Sequence, residues 1–136
     1  MTTVTPPAPL TMLSAVARAT TTPGLEVYAG RAPSSASSDD VDRYADTVLV
    51  AGPTPARRGD GGTTAWTALV QLDLWEREHA EDVTYAASIL ETLDSGHLDD
   101  AGGSRAWRTD LETAERLGPD AGYVRHRIEV RLTILR

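Results

Sequence analysis

The last stretch of the chain, Tyr123–Leu135, alternates in polarity at every position. Val124, His126, Ile128, Val130, Leu132 and Ile134 fall on one side, and Arg125, Arg127, Glu129, Arg131 and Thr133 on the other. Successive side chains of a strand point to opposite faces, so this is a β-strand with one face that must be covered. Ala65–Trp75 repeats the pattern. Trp66, Ala68, Val70, Leu72 and Leu74 share a face, against Thr67, Gln71 and Asp73, with Leu69 and Trp75 as apolar exceptions on the polar side. Arg105–Leu117 groups Trp107, Thr109, Leu111 and Thr113, and the turn Gly118-Pro119-Asp120-Ala121-Gly122 leads back into the last strand. Two long strands joined by so short a turn pair antiparallel. Shorter strands are predicted at Leu25–Ala29 and Thr47–Ala51.

The cover is helical. Leu10, Leu13, Val16, Ala17 and Thr20 recur at helical spacing behind Pro9, a residue suited to the first helical position. Thr21-Thr22-Pro23-Gly24 ends that helix. Glu81–Asp94 predicts a second, with acidic residues at its start and a stripe of Val83, Ala86, Ala87, Leu90 and Leu93; Ser95-Gly96 supplies the stop. The expected fold is α+β: an antiparallel or mixed sheet of four to five strands, packed by one long amphipathic helix plus an N-terminal helix. Its core would come from Leu13, Val16, Val48, Val50, Val70, Leu72, Leu74, Val83, Leu90, Ile128, Val130 and Leu132.

With 136 residues the chain has room for one domain. Residues 1–9 are Thr/Pro-rich and read as a mobile arm, leaving 10–136 as a single α+β domain. Two long loops are expected in it. Residues 30–46 are polar, with Ser34, Ser35, Ser37, Ser38, Asp39 and Asp40 clustered. Residues 52–64 hold Pro53, Pro55, Gly59, Gly61 and Gly62 and read as a flexible hairpin connection.

Charge and composition narrow the function. Twenty acidic against 13 basic residues give a net charge of -7, which argues against a generic basic surface for nucleic acid or anionic membranes. Cysteine is absent, which removes disulfides, thiolate catalysis and Cys-ligated zinc together. No apolar run approaches the roughly 20 residues that cross a bilayer. The N-terminal stretch has no basic segment ahead of its A-x-A-like pattern, so no signal peptide is expected and synthesis in a cytoplasm is. All basic residues are Arg, and Phe is absent too. Lys and Phe codons are AT-rich, so the composition points to a high-GC bacterium or one of its viruses.

Candidate chemistry is sparse. His79, near Glu76, Glu78, Glu81 and Asp82, lacks a zinc-binding spacing, and His126 lies on an apolar strand face, where a core or interface histidine is expected. Asp39, Asp40, Asp42 and Asp46 lack the central Gly and distal Glu of a calcium loop. Gly59-Asp60-Gly61-Gly62 lacks the ending of a phosphate loop. No catalytic set can be assigned from spacing, and neither an enzyme nor a cofactor is expected. The polar face of the last strand says more. Arg125, Arg127 and Arg131 form a row interrupted by Glu129, which reads as an ordinary solvated sheet face or as a contact for an acidic surface of a neighbouring subunit or for DNA; basic charge gathered on one face of an acidic chain suits ring or stack assembly.

Val70-Gln71-Leu72-Asp73-Leu74-Trp75, followed by the Ala-containing helix Glu81–Leu93, resembles the tail terminator, or tail-completion, proteins of long-tailed bacteriophages. Leu25-Glu26-Val27-Tyr28 is similar to the early strand of that family, and Leu90–Gly96 to the usual helix end. The resemblance spans Leu10–Leu135. It implies a virion structural protein at the head–tail junction, forming a homo-oligomeric ring, a hexamer in this family. The ring caps the head-proximal end of the tail tube, stops polymerisation of the tube protein and presents a surface to the head connector. DNA passes through the lumen without sequence-specific binding. The alternative within this structural class is a head-closure or connector protein of the neck; an alternative of a different class is a small module that binds a host protein. The candidate subunit and partner contacts are Arg31, Asp39, Asp40, Asp42 and Arg43 in or beside the first loop, Arg57 and Arg58 in the hairpin, and Arg125, Arg127 and Arg131 on the last strand.

Overall fold

A computed structural model describes residues 6–37, 41–59, 62–94, 96–99 and 106–135. Two helices and six strands follow in the order α1 (Pro9–Thr20), β1 (Val27–Tyr28), β2 (Arg43–Gly59), β3 (Gly62–Arg77), α2 (Val83–Leu93), β4 (His97–Asp99), β5 (Ala106–Asp120) and β6 (Tyr123–Leu135). The strands form one sheet in the order β1-β2-β3-β6-β5-β4. β1 pairs parallel with β2, and every other neighbouring pair is antiparallel. This is the expected α+β class with a mixed sheet, but with six strands rather than four to five. The extra one, β4, spans only three residues, too few to show an alternation in sequence. Nor is there one long helix: α2 has 11 residues and α1 has 12.

The largest departure is β2. The sequence predicts a strand over Thr47–Ala51 between two loops, whereas the strand runs from Arg43 to Gly59. The loop expected at 30–46 therefore ends at residue 42, and most of 52–64 is a two-stranded ladder. The physical reason is the partner. β3 offers a continuous row of backbone groups, and register shifts beside Ala51, Thr54, Pro55 and Arg57 absorb the prolines and glycines. Pro53 and Pro55 lie where β2 has no second strand neighbour among the described residues, so the missing N–H groups break no ladder. Gly52 sits at one such shift with φ +91°, and a Cβ there would lie 2.7 Å from the Thr67 carbonyl oxygen. Glycine is required at that position.

The core lies between the helices and one face of the sheet. Val70, Leu72, Leu74, Ile128, Val130 and Leu132 are buried as expected, with Met12, Leu13 and Val16 from α1, Ile89 and Leu93 from α2, and Trp107 from β5. Four expected core residues are not fully buried. Val48 and Leu90 are half-buried, and Val50 and Val83 are exposed. Val48 alternates with the inward-facing Thr47 and Leu49, so it turns to the other face of the sheet. Val50 lies at a register shift. Val83 is the first helical residue, outside the turn that meets the sheet. The buried stripe of α2 is Ala86, Ile89 and Leu93 rather than Val83, Ala87 and Leu90, a rotation of the apolar face by about one position.

α2 starts two residues later than the acidic pair suggests. Asp82 is its N-cap, and its carboxylate accepts from the Thr84 amide at 3.0 Å and the Thr84 hydroxyl at 2.8 Å. Both bonds hold the Asp82 carboxyl below its ordinary pKa.

Candidate functional site

The sheet has a second face, away from the helices. Cross-strand register aligns its side chains in rows: Tyr44–Trp75–Arg125, then Asp46–Asp73–Arg127–Glu115, then Val48–Gln71–Glu129–Thr113. Of the sequence-predicted contact residues, Arg125, Arg127 and Arg131 lie here, and Arg31 approaches Asp73 from beside it.

The arginine row does not stand as free positive charge. Arg125 Nε and Nη2 donate to the two carboxylate oxygens of Asp73 at 3.0 and 2.9 Å. Arg127 Nη1 lies 3.5 Å from Glu115 Oε1, and Arg131 pairs with Glu112. Each cation of the row thus meets a carboxylate of its own chain. Arg125 also lies 5.1 Å over the Trp75 ring.

Asp73 is 1% exposed and Asp46 is 6% exposed, although both belong to a face that alternation assigns to solvent. They sit directly opposite on adjacent strands, an unfavourable placement for like charges. Around Asp73, Gln71 Nε2 donates at 2.9 Å and Arg31 Nη1 stands 3.9 Å away with an exposed side chain. Asp46 accepts from the Ala32 amide at 3.1 Å. Burial pushes the Asp46 carboxyl up, the Asp73 charge adds to that, and the Ala32 amide opposes it.

These contacts bind the polar segment after β1 to the sheet. The Gly30 amide donates to Thr47 Oγ1, and that hydroxyl donates to the Tyr28 carbonyl, both at 2.9 Å. The Tyr123 hydroxyl donates to the Ser37 carbonyl at 3.2 Å, and Ala36 is buried. Residues 30–37 thus form a strap tied to one end of the open face, although most of them are exposed. The carboxylates Asp46, Asp73 and Glu76 were absent from the candidate contacts, Asp46 and Glu76 having been weighed only as metal ligands. Leu69 and Trp75, the apolar exceptions on the polar side of β3, were the available sign that this face is partly covered. Parity gave a sign for Glu76, which continues the inward series Val70, Leu72, Leu74.

On the helix side, Glu76 is fully buried. Its Oε2 accepts from the Asp82 amide at 2.9 Å and lies 3.5 Å from Arg43 Nε. Arg43 also donates to the Ala80 carbonyl at 2.8 Å and lies 4.2 Å over the Tyr85 ring. It thereby brackets β2 to the start of α2. His126 Nε2 lies 3.3 Å from Glu81 Oε2 and 3.7 Å from Glu76 Oε1. Glu81 is held by two 2.8 Å bonds from Arg116, which lower its pKa. No cluster of three potential metal ligands occurs among the described residues.

The remaining candidates fall at the ends of β2. Asp42 is exposed just before it, 3.7 Å from the exposed His79. Arg57 and Arg58 lie near its far end, opposite Ala65 and Thr63. Asp39 and Asp40 lie outside the described residues. Among the described residues, no helix is long and apolar enough to cross a membrane.

No family model matches the chain, and no curated protein does. One solved structure superposes with a TM-score of 0.57 at 12% identity, covering 93% of this chain and 92% of that one. At that identity the likeness carries the fold alone.

Proposed function

We propose that this chain is a structural subunit of a long-tailed phage particle, a tail terminator. Six copies would form a ring on the head-proximal end of the tail tube, stop its polymerisation and join the tail to the head connector. DNA would pass through the lumen without sequence-specific contact, and the work requires neither a reaction nor a cofactor.

The observation that carries the reading is a pair of open strand edges. Beyond Thr47, β2 has no strand on its outer side among the described residues, and neither has β5 beyond Thr109. These edges stand on opposite margins of one sheet. Such rows of free N–H and C=O groups are templates for uncontrolled pairing, and a heterologous contact that closes into a ring covers both. Directions agree as well: β2, β3, β6 and β5 run alternately, so β5 of one copy would meet β2 of the next antiparallel. The tail position itself rests on the resemblance of residues 70–75 and the following helix.

The test is electron microscopy of the intact particle, resolved well enough to trace this chain at the head–tail junction. A six-fold ring directly on the last tube ring is expected. Density one layer higher, against the portal or adaptor, would make the chain a head-closure protein. Its absence from the particle would overturn both and favour a host-binding module.

A further inference from the structure

The helices leave part of the inward face of the sheet uncovered. Ala114 and Arg116 of β5 pair with the inward-facing Ile128 and His126 of β6, yet both are exposed. Beside them an open groove of about 210 Å³ separates the strands from α2. Ala114, Ile128 and His126 line it from the sheet, and Ala86 and Leu90 line it from the helix. Arg116 borders it, with its guanidinium committed to Glu81. The volume is below the roughly 300–1,000 Å³ of sites for small organic ligands, and it suits one or two aliphatic side chains.

The strand beneath this groove is the margin strand whose outer side is open beyond Thr109 among the described residues. Residues 113–117 pair regularly with β6 between two register shifts, so their outer backbone groups form an even row. A strand added there sets alternate side chains on the helix side, about 5 Å from Ala114 and beside the groove. Charge selects what can be added. Asp110 meets Arg108, Glu112 meets Arg131, Glu115 meets Arg127 and Arg116 meets Glu81. A margin whose charges are matched within its own chain favours an uncharged strand, since a charged one brings charge that nothing there compensates. Residues 48–56 of β2, on the opposite margin, carry no charge. Val50 there is 47% exposed, and Leu49 is half-buried on the helix side. Pro53 and Pro55 have no N–H to donate, so pairing along this margin falls on residues 48–52.

We infer that the groove between α2 and β5 receives Leu49 and Val50 from β2 of a second copy of this chain, added antiparallel along residues 113–117. Groove and β2 margin are different surfaces, so the contact is heterologous and propagates from copy to copy. The inference rests on the self-assembling reading above and adds the side chains that lock the strands together and the stretch over which they pair. Because the surface it covers is apolar and the neighbouring charges are matched at home, the contact is insensitive to salt.

The test uses the full chain and sedimentation velocity over a concentration series. Self-association is expected, with a dissociation constant that moves less than about twofold between roughly 0.1 and 0.5 M salt. A114E and V50E should each raise it about tenfold or more, because each buries a carboxylate without a partner. Mixed in equal amounts, the two variants should form heterodimers of parent affinity and nothing larger. The groove of V50E and the β2 margin of A114E are both intact, whereas the remaining surfaces set two carboxylates together. Circular dichroism checks folding, and the milder A114Q and V50N replace any variant that fails to fold. A parent chain that stays monomeric at every concentration overturns the inference. So do variants that associate like the parent, a mixture without heterodimers, or association lost in salt. The two readings fail separately. A ring in the particle that A114E and V50E build normally sinks the groove contact alone, while association that these variants block, in a chain absent from the particle, sinks the tail assignment alone.

Discussion

Arg125 grips Asp73 with two hydrogen bonds of 3.0 and 2.9 Å, on a carboxylate that is 1% exposed. A residue that alternation offers as a free contact cation is thereby a structural partner of a buried anion. Removing one member of such a pair leaves the other charge uncompensated. Arg125→Leu should lower stability by about 2–4 kcal/mol, read as a shift in the urea midpoint. The double variant D73L/R125L should lose less than R125L alone. A neutral R125L would show that Gln71 and Arg31 suffice for Asp73.

Asp46 makes a pH prediction with a definite sign. Burial raises its folded-state pKa above the ordinary Asp value, so the folded state binds its proton more readily than the unfolded chain does. The ionised carboxylate is a penalty at neutral pH, and it fades as pH falls through the folded pKa toward the unfolded one. Asp46→Asn keeps an acceptor for the Ala32 amide and removes the charge beside Asp73. D46N should exceed the parent in thermal midpoint at pH 7, and the gap should shrink at pH 4. A gap that widens on acidification would reverse the assignment.

Glu81 works the other way. The bonds from Arg116 lower its pKa, so its contribution to stability is present above the unfolded Glu value and is lost as pH falls through the folded one. Arg116→Gln should return the Glu81 carboxyl toward the ordinary range, as followed by carboxyl carbon shifts in an NMR titration. An unmoved Glu81 titration would mean that another group holds it.

Gly52 fixes the register of the long hairpin. Alanine there combines a φ of +91° with a Cβ 2.7 Å from the Thr67 carbonyl oxygen. Gly52→Ala should cost about 1–2 kcal/mol or more from the backbone conformation alone. Amide exchange should quicken for residues 49–56 before it does for β6. Uniform protection across both strands would mean that the sheet absorbs the change.

Trp107 anchors the far side of the core and is wholly buried. Trp107→Ala should cost about 3–5 kcal/mol in chemical denaturation, the range for large-to-small changes at packed sites. A loss under 1 kcal/mol would mean that the neighbouring side chains collapse into the space.

Periodicity in the sequence determined the long strands β3, β5 and β6, their facing residues, the two helices and the α+β class. Period-two alternation over Ala65–Trp75 and Tyr123–Leu135 has one stable outcome once a face is buried, and it needs no knowledge of the neighbours. Tertiary structure decided three things. β3 supplied the backbone partners that drew Gly52–Gly59 into a strand against its local turn chemistry. The strap closed over Asp46 and Asp73 and made part of a nominally solvated face an interior. The arginines of β6 were neutralised by carboxylates from β3 and β5, residues far apart in the chain and adjacent only in register. Burial and charge pairing depend on what lies across the ladder, and a single strand's alternation carries no record of that.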